Sequence, residues 1–353
     1  MIKRIAFSLL PSLVLIAAVE LTLRLTGAYD SCDSPVNRSR LLICDPILMF
    51  RVKPDFMFFP DTAVLNDSGF RSPHRFGPKP PGTYRIITLG DSCTFGSIGA
   101  GFVSEPYPQR LEQLFVSRRN ERFEVLNAGV PGYNSWHGIM LLRTKLRDLE
   151  PDIITVRYGW NDHWPLREGQ GPDTFRELDE PWRLVQDVLL RTAIYPYSQR
   201  LGLSMWSFVG PRRDNSMNAA QWAPAISLKE YEHNLKRIVE LAHRQGATVW
   251  LQTVPHAFLL PGYRPDPAAI AVLWANQLDS FETLVALHEP YNEVVRKVGT
   301  ELGVGVIDLE VTFHAHASER LYEGYDPVHS TQIGHFLEAE TLYRAFMGDK
   351  ALG

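Results

Sequence analysis

Short apolar runs alternate with helical periods along most of this chain. Five of these runs are brief and rich in β-branched residues: Arg85–Leu89, Glu124–Leu126, Ile153–Val156, Thr248–Leu251 and Val304–Ile307. Such runs predict strands that are buried on both faces, as in a parallel sheet. Between them lie apolar residues at helical spacing, for example Tyr107, Leu111 and Leu114. Strands that alternate with helices predict a parallel sheet covered by helices on both faces, which is a three-layer α/β/α sandwich.

Three later helices are also predicted, and capping signals place the first of them. Ser227 and Glu230 form a capping-box pattern that opens a helix, and Gly246 suits its C-terminal end. Further helices are predicted over about 290–302 and about 331–346. In a sheet of this kind the ligand site lies beyond the carboxyl ends of the strands.

The pattern also divides the chain. Residues 1–27 read as a signal anchor, residues 28–80 as an irregular extension with frequent prolines, and residues 81–349 as the folded domain. Two segments, at about 165–226 and about 254–288, interrupt the alternation. Both are longer than ordinary connections, which favours a lid or substrate-shaping role, with surface decoration as the alternative.

Composition excludes some function classes. The chain has 353 residues with 45% hydrophobic and 22% charged residues, which is ordinary for a globular protein. A net charge of −4 argues against a nucleic-acid partner, which would need a basic face. The three cysteines have no metal-ligand spacing. Cys32 and Cys44 either pair in an oxidising compartment or are free thiols, and the sequence leaves this open.

The N-terminus predicts a membrane partner. Lys3 and Arg4 precede an uncharged run that ends at Val19, and Glu20 follows. A basic start before an apolar stretch is typical of an export signal or a membrane anchor. The run reaches the roughly 20 residues of a membrane span only if it extends to Leu23 or Leu25. We expect an uncleaved anchor with the catalytic domain outside the cytoplasm, and a cleaved, secreted form is the alternative.

Candidate catalytic residues lie at two distant points of the chain. Ser92 follows the first predicted core strand, and Asp326 and His329 stand three apart near the C-terminus. A serine hydroxyl becomes a nucleophile when an imidazole takes its proton, and a carboxylate orients that imidazole. The chain therefore contains the residue types of a Ser-His-Asp hydrolase, which needs neither metal nor cofactor.

Four ordered blocks resemble the SGNH, or GDSL, hydrolases over about 82–347. They are Gly90-Asp91-Ser92, Asn127-Ala128-Gly129-Val130-Pro131-Gly132, Gly159-Trp160-Asn161-Asp162 and Asp326-Pro327-Val328-His329. The resemblance implies a flavodoxin-like parallel sheet with Ser92, His329 and Asp326 as catalytic residues. It also implies an oxyanion hole formed by the backbone amides of Ser92 and Gly129 and the side-chain amide of Asn161. The segment 66–71, Asn-Asp-Ser-Gly-Phe-Arg, resembles an element of anchored bacterial members, and we expect it to be structural.

The expected function is hydrolysis of acyl esters through a Ser92 acyl-enzyme, with O-acetyl groups on an envelope or extracellular polysaccharide as one substrate class. An O-acyltransferase, a lipid esterase and a non-catalytic envelope binding protein remain alternatives. Some residues also have competing roles: Ser92 as a helix N-cap, Cys93 as a nucleophile, and an aromatic rim of Trp160, Trp164 and Tyr133 as a sugar platform.

Overall fold

The computed structural model of the protein describes most of the chain. The described residues are 2–30, 32, 39–54, 65–99, 101–119, 122–165, 174–209, 223–258, 260–266 and 280–348. Parts of both predicted insertions, residues 166–173, 210–222, 259 and 267–279, lie outside them, as do parts of the predicted irregular extension.

The described elements alternate as follows. The helices are α1 (Ile2–Thr26), α2 (Ser92–Phe95), α3 (Tyr107–Arg118), α4 (Ser135–Arg143), α5 (Trp160–His163), α6 (Trp182–Leu189), α7 (Ile194–Val209), α8 (Leu228–Arg244), α9 (Phe281–Leu302), α10 (Leu309–Ala315) and α11 (Gln332–Gly348). The strands are β1 (Leu42–Asp45), β2 (Met49–Val52), β3 (Thr83–Gly90), β4 (Ser97–Ile98), β5 (Gly101–Phe102), β6 (Arg122–Gly129), β7 (Ile153–Arg157), β8 (Thr248–Gln252), β9 (Gly305–Ile307), β10 (Tyr322–Glu323) and β11 (Asp326–Ser330).

A five-stranded parallel sheet forms the centre of the fold, in the order β6-β3-β7-β8-β9. Counted along the chain, these strands stand in the order 2-1-3-4-5, which is the flavodoxin-like arrangement. The five apolar runs recognised in the sequence supply these strands, so the predicted fold class is confirmed. The middle strand β7 is buried along its whole length, because neighbouring strands and both helical layers cover it.

Helices cover the two faces of the sheet. On one face, Tyr107 and Phe115 of α3 pack with Leu342 and Phe346 of α11 over Ile86 of β3. On the other face, α8 contacts α4, α9 and β8. Successive side chains of each strand therefore pack against opposite helical layers. Because both faces are buried, the strands are apolar along their length and do not alternate between apolar and polar residues.

One helix begins earlier than the sequence predicted. Helix α9 starts at Phe281, where the Ser280 side chain accepts a hydrogen bond from the Thr283 N–H, and it continues past Pro290. The prediction of about 290–302 therefore missed its first turns. Proline is favoured in the first turn of a helix, whereas this helix accommodates Pro290 internally.

The chain divides into two compact units. One comprises Met1–Lys53 and Glu177–Arg212, and the other comprises Pro54–Arg176 and Arg213–Gly353. In the first unit, the Glu20 carboxylate accepts hydrogen bonds from the N–H groups of Ala193 and Ile194 at 2.9 and 3.1 Å. Cys32 and Cys44 form a disulfide there, which settles the pairing that the sequence left open.

The helices of the described residues bear on the predicted membrane anchor. None of these described helices combines the length and the hydropathy that crossing a membrane requires. The anchor and the outward location predicted from residues 1–27 stay predictions.

Candidate active site

The structure brings Ser92, His329 and Asp326 together at the carboxyl ends of the strands. Ser92 is the first residue of α2, directly after β3, and strand β11 carries the other two residues. His329 Nε2 lies 2.8 Å from Ser92 Oγ. His329 Nδ1 lies 2.9 Å from Asp326 Oδ2. Both imidazole nitrogens are thus engaged in the order that general-base activation of a serine requires.

Asp326 is fixed by several donors. Its Oδ2 accepts a hydrogen bond of 2.6 Å from the Gly99 N–H, and its Oδ1 accepts from the backbone N–H groups of Val328 and His329 at 3.1 and 2.9 Å. Burial raises the pKa of Asp326, but the hydrogen bonds and charge of His329 outweigh it and leave the pKa below its ordinary value. Asp326 is therefore ionised at neutral pH and can hold the imidazole in one orientation.

The nucleophile turn, residues 91–96, has Asp91 rather than Ser92 as its N-cap. The Asp91 carboxylate accepts a hydrogen bond of 2.8 Å from the Cys93 N–H. Asp91 is buried, and desolvation raises the pKa of its carboxyl group. Because Asp91 performs the capping, the Ser92 hydroxyl faces His329 instead, and the N-cap interpretation of Ser92 is wrong.

Asn161 lies beside this turn, in the short helix that follows β7. Its Nδ2 donates a hydrogen bond of 2.9 Å to the Tyr133 carbonyl and lies 3.4 Å from Asp91 Oδ2. The second contact is long for a hydrogen bond. One amide hydrogen of Asn161 is therefore firmly held while the other is only loosely engaged.

The backbone N–H of Gly129 does not have the orientation expected of an oxyanion donor. This N–H donates a hydrogen bond of 3.0 Å to Asn127 Oδ1, so it is not directed at an incoming oxyanion. A Cβ at this position would lie 2.6 Å from the Phe95 nitrogen. Gly129 thus permits α2 to approach β6 closely, which is a packing role.

Gly132 is a residue that the sequence reasoning missed. Val130 to Tyr133 form a β-turn in which the Tyr133 N–H donates to the Val130 carbonyl at 3.1 Å. Gly132 has φ +87°, which suits the third position of a type II turn after Pro131. The Pro-Gly pair was the available signal. The last residue of this turn, Tyr133, accepts the hydrogen bond from the Asn161 amide at its carbonyl, so the turn that contains Gly132 lies beside Asn161.

A buried polar network supports the Asn161 loop. Ser135 donates from its hydroxyl and its N–H to Asp162 Oδ1, at 2.5 and 3.0 Å. Asn234 of α8 donates to the Ser135 hydroxyl at 2.9 Å. Complete burial raises the pKa of Asp162 to about 7 despite the hydrogen bonds from Ser135. Asp162, which directly follows Asn161, is therefore linked to Ser135 of α4 and, through it, to Asn234 of α8.

Most of the predicted aromatic rim is internal. Trp160 is 2% exposed and stacks on His288 with ring centroids 4.1 Å apart. Tyr133 is 1% exposed and stacks on His137 at 4.2 Å. Only Trp164 is partly exposed. Two of the three residues are thus packing residues, and the sugar-platform interpretation is wrong for them.

Cys93 does not compete with Ser92. It is 1% exposed, and its thiol lies 3.8 Å from the Val328 carbonyl. Burial raises the pKa of this thiol well above its ordinary value. The thiolate that nucleophilic attack requires is therefore disfavoured.

One cluster of potential metal ligands lies among the described residues, formed by His256, Glu289 and Glu310. His256 Nε2 lies 2.9 Å from Glu289 Oε1, and Arg296 pairs with Glu310 at 2.5 Å. The guanidinium of Arg296 already supplies a positive charge to this cluster. We therefore assign it no metal.

One family of known proteins matches most of the chain. The model of the GDSL-like Lipase/Acylhydrolase family matches residues 88–337. A search of the curated proteins found no match.

Solved structures with similar folds include three hydrolases. A lipase/acylhydrolase from Enterococcus faecalis is 19% identical, with coverage of 75% of this chain and 96% of that chain and a TM-score of 0.46. An α/β hydrolase from the metagenome of Lake Arreo, Spain, is 17% identical, with coverage of 74% and 94% and a TM-score of 0.44. An acetylxylan esterase from Geobacillus stearothermophilus is 16% identical, with coverage of 76% and 96% and a TM-score of 0.45.

Proposed function

The chain belongs to the GDSL-like lipase/acylhydrolase family, and from this premise we propose that it hydrolyses acyl esters through an acyl-enzyme formed on Ser92. The observation that supports this most is the continuous set of contacts from Ser92 Oγ through His329 to Asp326, at 2.8 and 2.9 Å. These distances lie within the hydrogen-bond reach that a nucleophile and its base require.

The proposed reaction follows from these contacts. His329 Nε2 takes the hydroxyl proton as Ser92 Oγ bonds to the acyl carbon, and it then gives the proton to the departing alcohol oxygen. Water, deprotonated by the same nitrogen, attacks the acyl carbon and releases the acid and Ser92. Asp326 remains ionised throughout and stabilises the imidazolium that forms in each half-reaction.

We propose that three hydrogen-bond donors around Ser92 stabilise the oxyanion that forms when Ser92 attacks the acyl carbon. The Ser92 N–H lies in the first turn of α2, where backbone N–H groups have no partner within the helix. The loosely engaged hydrogen of Asn161 Nδ2 can leave Asp91 for the oxyanion, since that contact measures 3.4 Å. For the third donor we propose the N–H of Gly132 in place of Gly129, whose N–H is bonded to Asn127. A backbone N–H on a tight turn beside Asn161 has the fixed position that such a donor needs.

A location outside the cytoplasm is part of the proposal. The disulfide between Cys32 and Cys44 supports it, because disulfides persist in oxidising compartments and are rare in the cytosol. In that location we propose a short acyl ester, such as an O-acetyl group on an envelope or extracellular polysaccharide, as the substrate. This substrate class rests on the family and the location rather than on an aromatic platform.

A chain-length series tests the proposed activity. The full chain and its Ser92→Ala variant are assayed on p-nitrophenyl esters from acetyl to palmitoyl and on an acetylated polysaccharide. We expect hydrolysis by the wild type alone, with the highest kcat/KM on acetyl esters. Preference for long chains would instead favour a lipid esterase, and transfer of the acyl group to an added sugar would favour an acyltransferase. Equal rates for both proteins would contradict the proposal.

A further inference from the structure

The segment Asn66–Arg71 forms a compact turn that buries its arginine. Asn66 Oδ1 accepts hydrogen bonds from the N–H groups of Ser68 and Phe70, at 3.1 and 2.9 Å. Gly69 adopts φ +80°, a conformation that glycine tolerates without strain. Phe70 is 5% exposed and stacks on Phe76 at 4.4 Å. These contacts fix the backbone from which Arg71 projects.

Arg71 ends directly behind the nucleophile turn. Its Nη1 donates to the carbonyls of Phe95 and Gly96, at 2.9 and 3.2 Å, and its Nη2 donates to the Val103 carbonyl at 2.5 Å. The side chain is 1% exposed, and its guanidinium lies 5.7 Å from the centre of the Phe95 ring. No carboxylate among the described residues pairs with it. Burial lowers the pKa of Arg71 to about 10, so it remains charged at neutral pH.

Helix α2 depends on such external contacts. It has four residues, and a single helical turn is not stable by itself. Asp91 holds its N-terminal end, and Asn127 Nδ2 donates to the Thr94 carbonyl at 3.0 Å. Arg71 supplies the donors for the carbonyls that follow, Phe95 and Gly96. A cation near the C-terminal carbonyls of a helix is also electrostatically favourable.

We propose that Arg71 is a positioning residue for Ser92: its guanidinium locks the C-terminal end of the nucleophile turn and so holds the Ser92 hydroxyl against His329. A buried cation is costly in free energy, and Arg71, for which the described residues offer no carboxylate partner, lies at the back of the candidate nucleophile. A planar fork of donors can bridge three carbonyls, whereas the single ammonium of lysine cannot. The inference rests on the proposed role of Ser92.

The test measures the rate of Ser92 modification per folded molecule. Arg71→Lys and Arg71→Gln variants of the full chain react with a fluorophosphonate, and intact mass gives the rate constant and the final stoichiometry. We expect rates about 10- to 100-fold below the wild type, because small misplacements of a reacting group have effects of this size. On p-nitrophenyl acetate, kcat should fall in proportion while KM changes little, since Arg71 does not touch substrate.

Arg85→Lys is the matched control. Arg85 is equally buried and also donates to backbone carbonyls, those of Gly77 and Leu149. Unlike Arg71 it also pairs with a carboxylate, that of Glu124 at 2.8 Å, and it lies near the end of β3 that is farther from Ser92. We expect this variant to lose stability and to keep the wild-type labelling rate. Protein that is irreversibly misfolded lowers the stoichiometry but not the rate constant of the folded fraction.

The outcomes separate the two claims. Near-ultraviolet circular dichroism shows which Arg71 variants are folded, and the labelling rate constant of each folded variant is compared with that of the wild type. A folded Arg71 variant that reacts at the wild-type rate would overturn the positioning role while leaving the proposed function intact. An unreactive wild type would overturn the proposed function and the positioning role with it.

Discussion

At the scale of single residues, Asn161 has two unequal contacts. One hydrogen of its side-chain amide is held by Tyr133 at 2.9 Å, and the other lies 3.4 Å from Asp91. The firm contact orients the amide group, and the loose one leaves a hydrogen that can be given to developing negative charge. Preorganised donors of this kind act on the transition state more than on the bound substrate.

Replacing Asn161 with alanine should therefore lower kcat about 100- to 1,000-fold, the usual effect of removing one oxyanion donor. KM on p-nitrophenyl acetate should change little, and the unfolding midpoint should stay near that of the wild type. Steady-state kinetics measure the first two quantities and circular dichroism the third. A kcat within threefold of the wild type would remove Asn161 from the oxyanion site.

Asp162 should make stability depend on pH. Its pKa is raised by burial from 3.8 to about 7, so between these values the folded state retains a proton that the unfolded state has lost. The free energy of unfolding contributed by this group therefore decreases as pH rises from about 4 to 7. Asp162→Asn, which keeps an acceptor for Ser135, should flatten the curve in urea titrations across this range. A slope equal to that of the wild type would contradict the shifted pKa.

Part of the slope should remain in that variant. Burial also raises the pKa of Asp91, and the contribution of this carboxyl group has the same sign.

The residues of the site were predictable to different degrees. Ser92, Asp326 and His329 meet as expected. Ser92 directly follows a strand that the apolar pattern predicts, and Asp326 and His329 belong to one short Asp-x-x-His segment. The proposed oxyanion donor in the glycine block, residues 127–132, was not predictable. The block contains Gly129 and Gly132, and the direction of each backbone N–H depends on local hydrogen bonds. Asn127 takes the N–H of Gly129, which no spacing rule indicated.

At the scale of elements, a buried ion pair joins β7 to α11. Arg157 Nη1 lies 2.9 and 2.8 Å from the two carboxylate oxygens of Glu338, and both side chains are almost completely buried. Glu338 lies on the last helix, which was predicted over about 331–346. The pairing connects residues 181 positions apart, so only the fold reveals it.

Removing one partner of this pair should be strongly destabilising. Glu338→Ala leaves the Arg157 charge buried without its partner, which typically costs about 3–5 kcal/mol. The double variant Arg157→Met/Glu338→Met should recover much of this loss because no uncompensated charge remains. Urea unfolding measures both.

Glu340→Ala is the matched control on the same helix. Glu340 pairs with Arg118 at the surface, and exposed pairs contribute little. Equal losses for Glu338→Ala and Glu340→Ala would show that burial of the first pair has no energetic consequence.

The element boundaries show where sequence patterns stop being informative. The strands and the helix after Ser227 followed from apolar runs and capping residues. Helix α9 was predicted only in part: its first half already has apolar residues at helical spacing, Phe281, Leu284 and Val285, but it belongs to the stretch that was interpreted as an insertion, and Pro290 lies inside the helix. Its Ser280 cap is a weak signal in a stretch with several prolines.

At the scale of the whole molecule, the candidate site and the disulfide belong to different units. Ser92, Asn161, Asp326 and His329 lie in the unit formed by Pro54–Arg176 and Arg213–Gly353, whereas Cys32 and Cys44 lie in the other. The sequence divided the chain differently, because it treated residues 28–80 as one extension and 165–226 as one insertion. Glu20, Ala193 and Ile194 meet across 173 and 174 positions of sequence, which no local pattern indicates.

Loss of the disulfide should therefore affect one unit selectively. The Cys32→Ser/Cys44→Ser variant should lose about 2–4 kcal/mol of stability in its own unit, as is typical for a native disulfide. Hydrogen exchange over residues 39–54 should accelerate, while kcat on p-nitrophenyl acetate stays at the wild-type value. Dithiothreitol should reproduce this in the wild type and have no further effect on the variant. A parallel fall in kcat would contradict the independence of the site from the disulfide.

Labelling of the full chain with a fluorophosphonate probe tests the central claim most directly, because only an activated serine reacts. Intact mass should show one adduct on the wild type and none on Ser92→Ala, with His329→Ala reacting much more slowly. Peptide mapping should place the adduct on Ser92. A folded wild type that stays unlabelled, or a Ser92→Ala variant that is labelled equally, would contradict the assignment of Ser92 as the nucleophile.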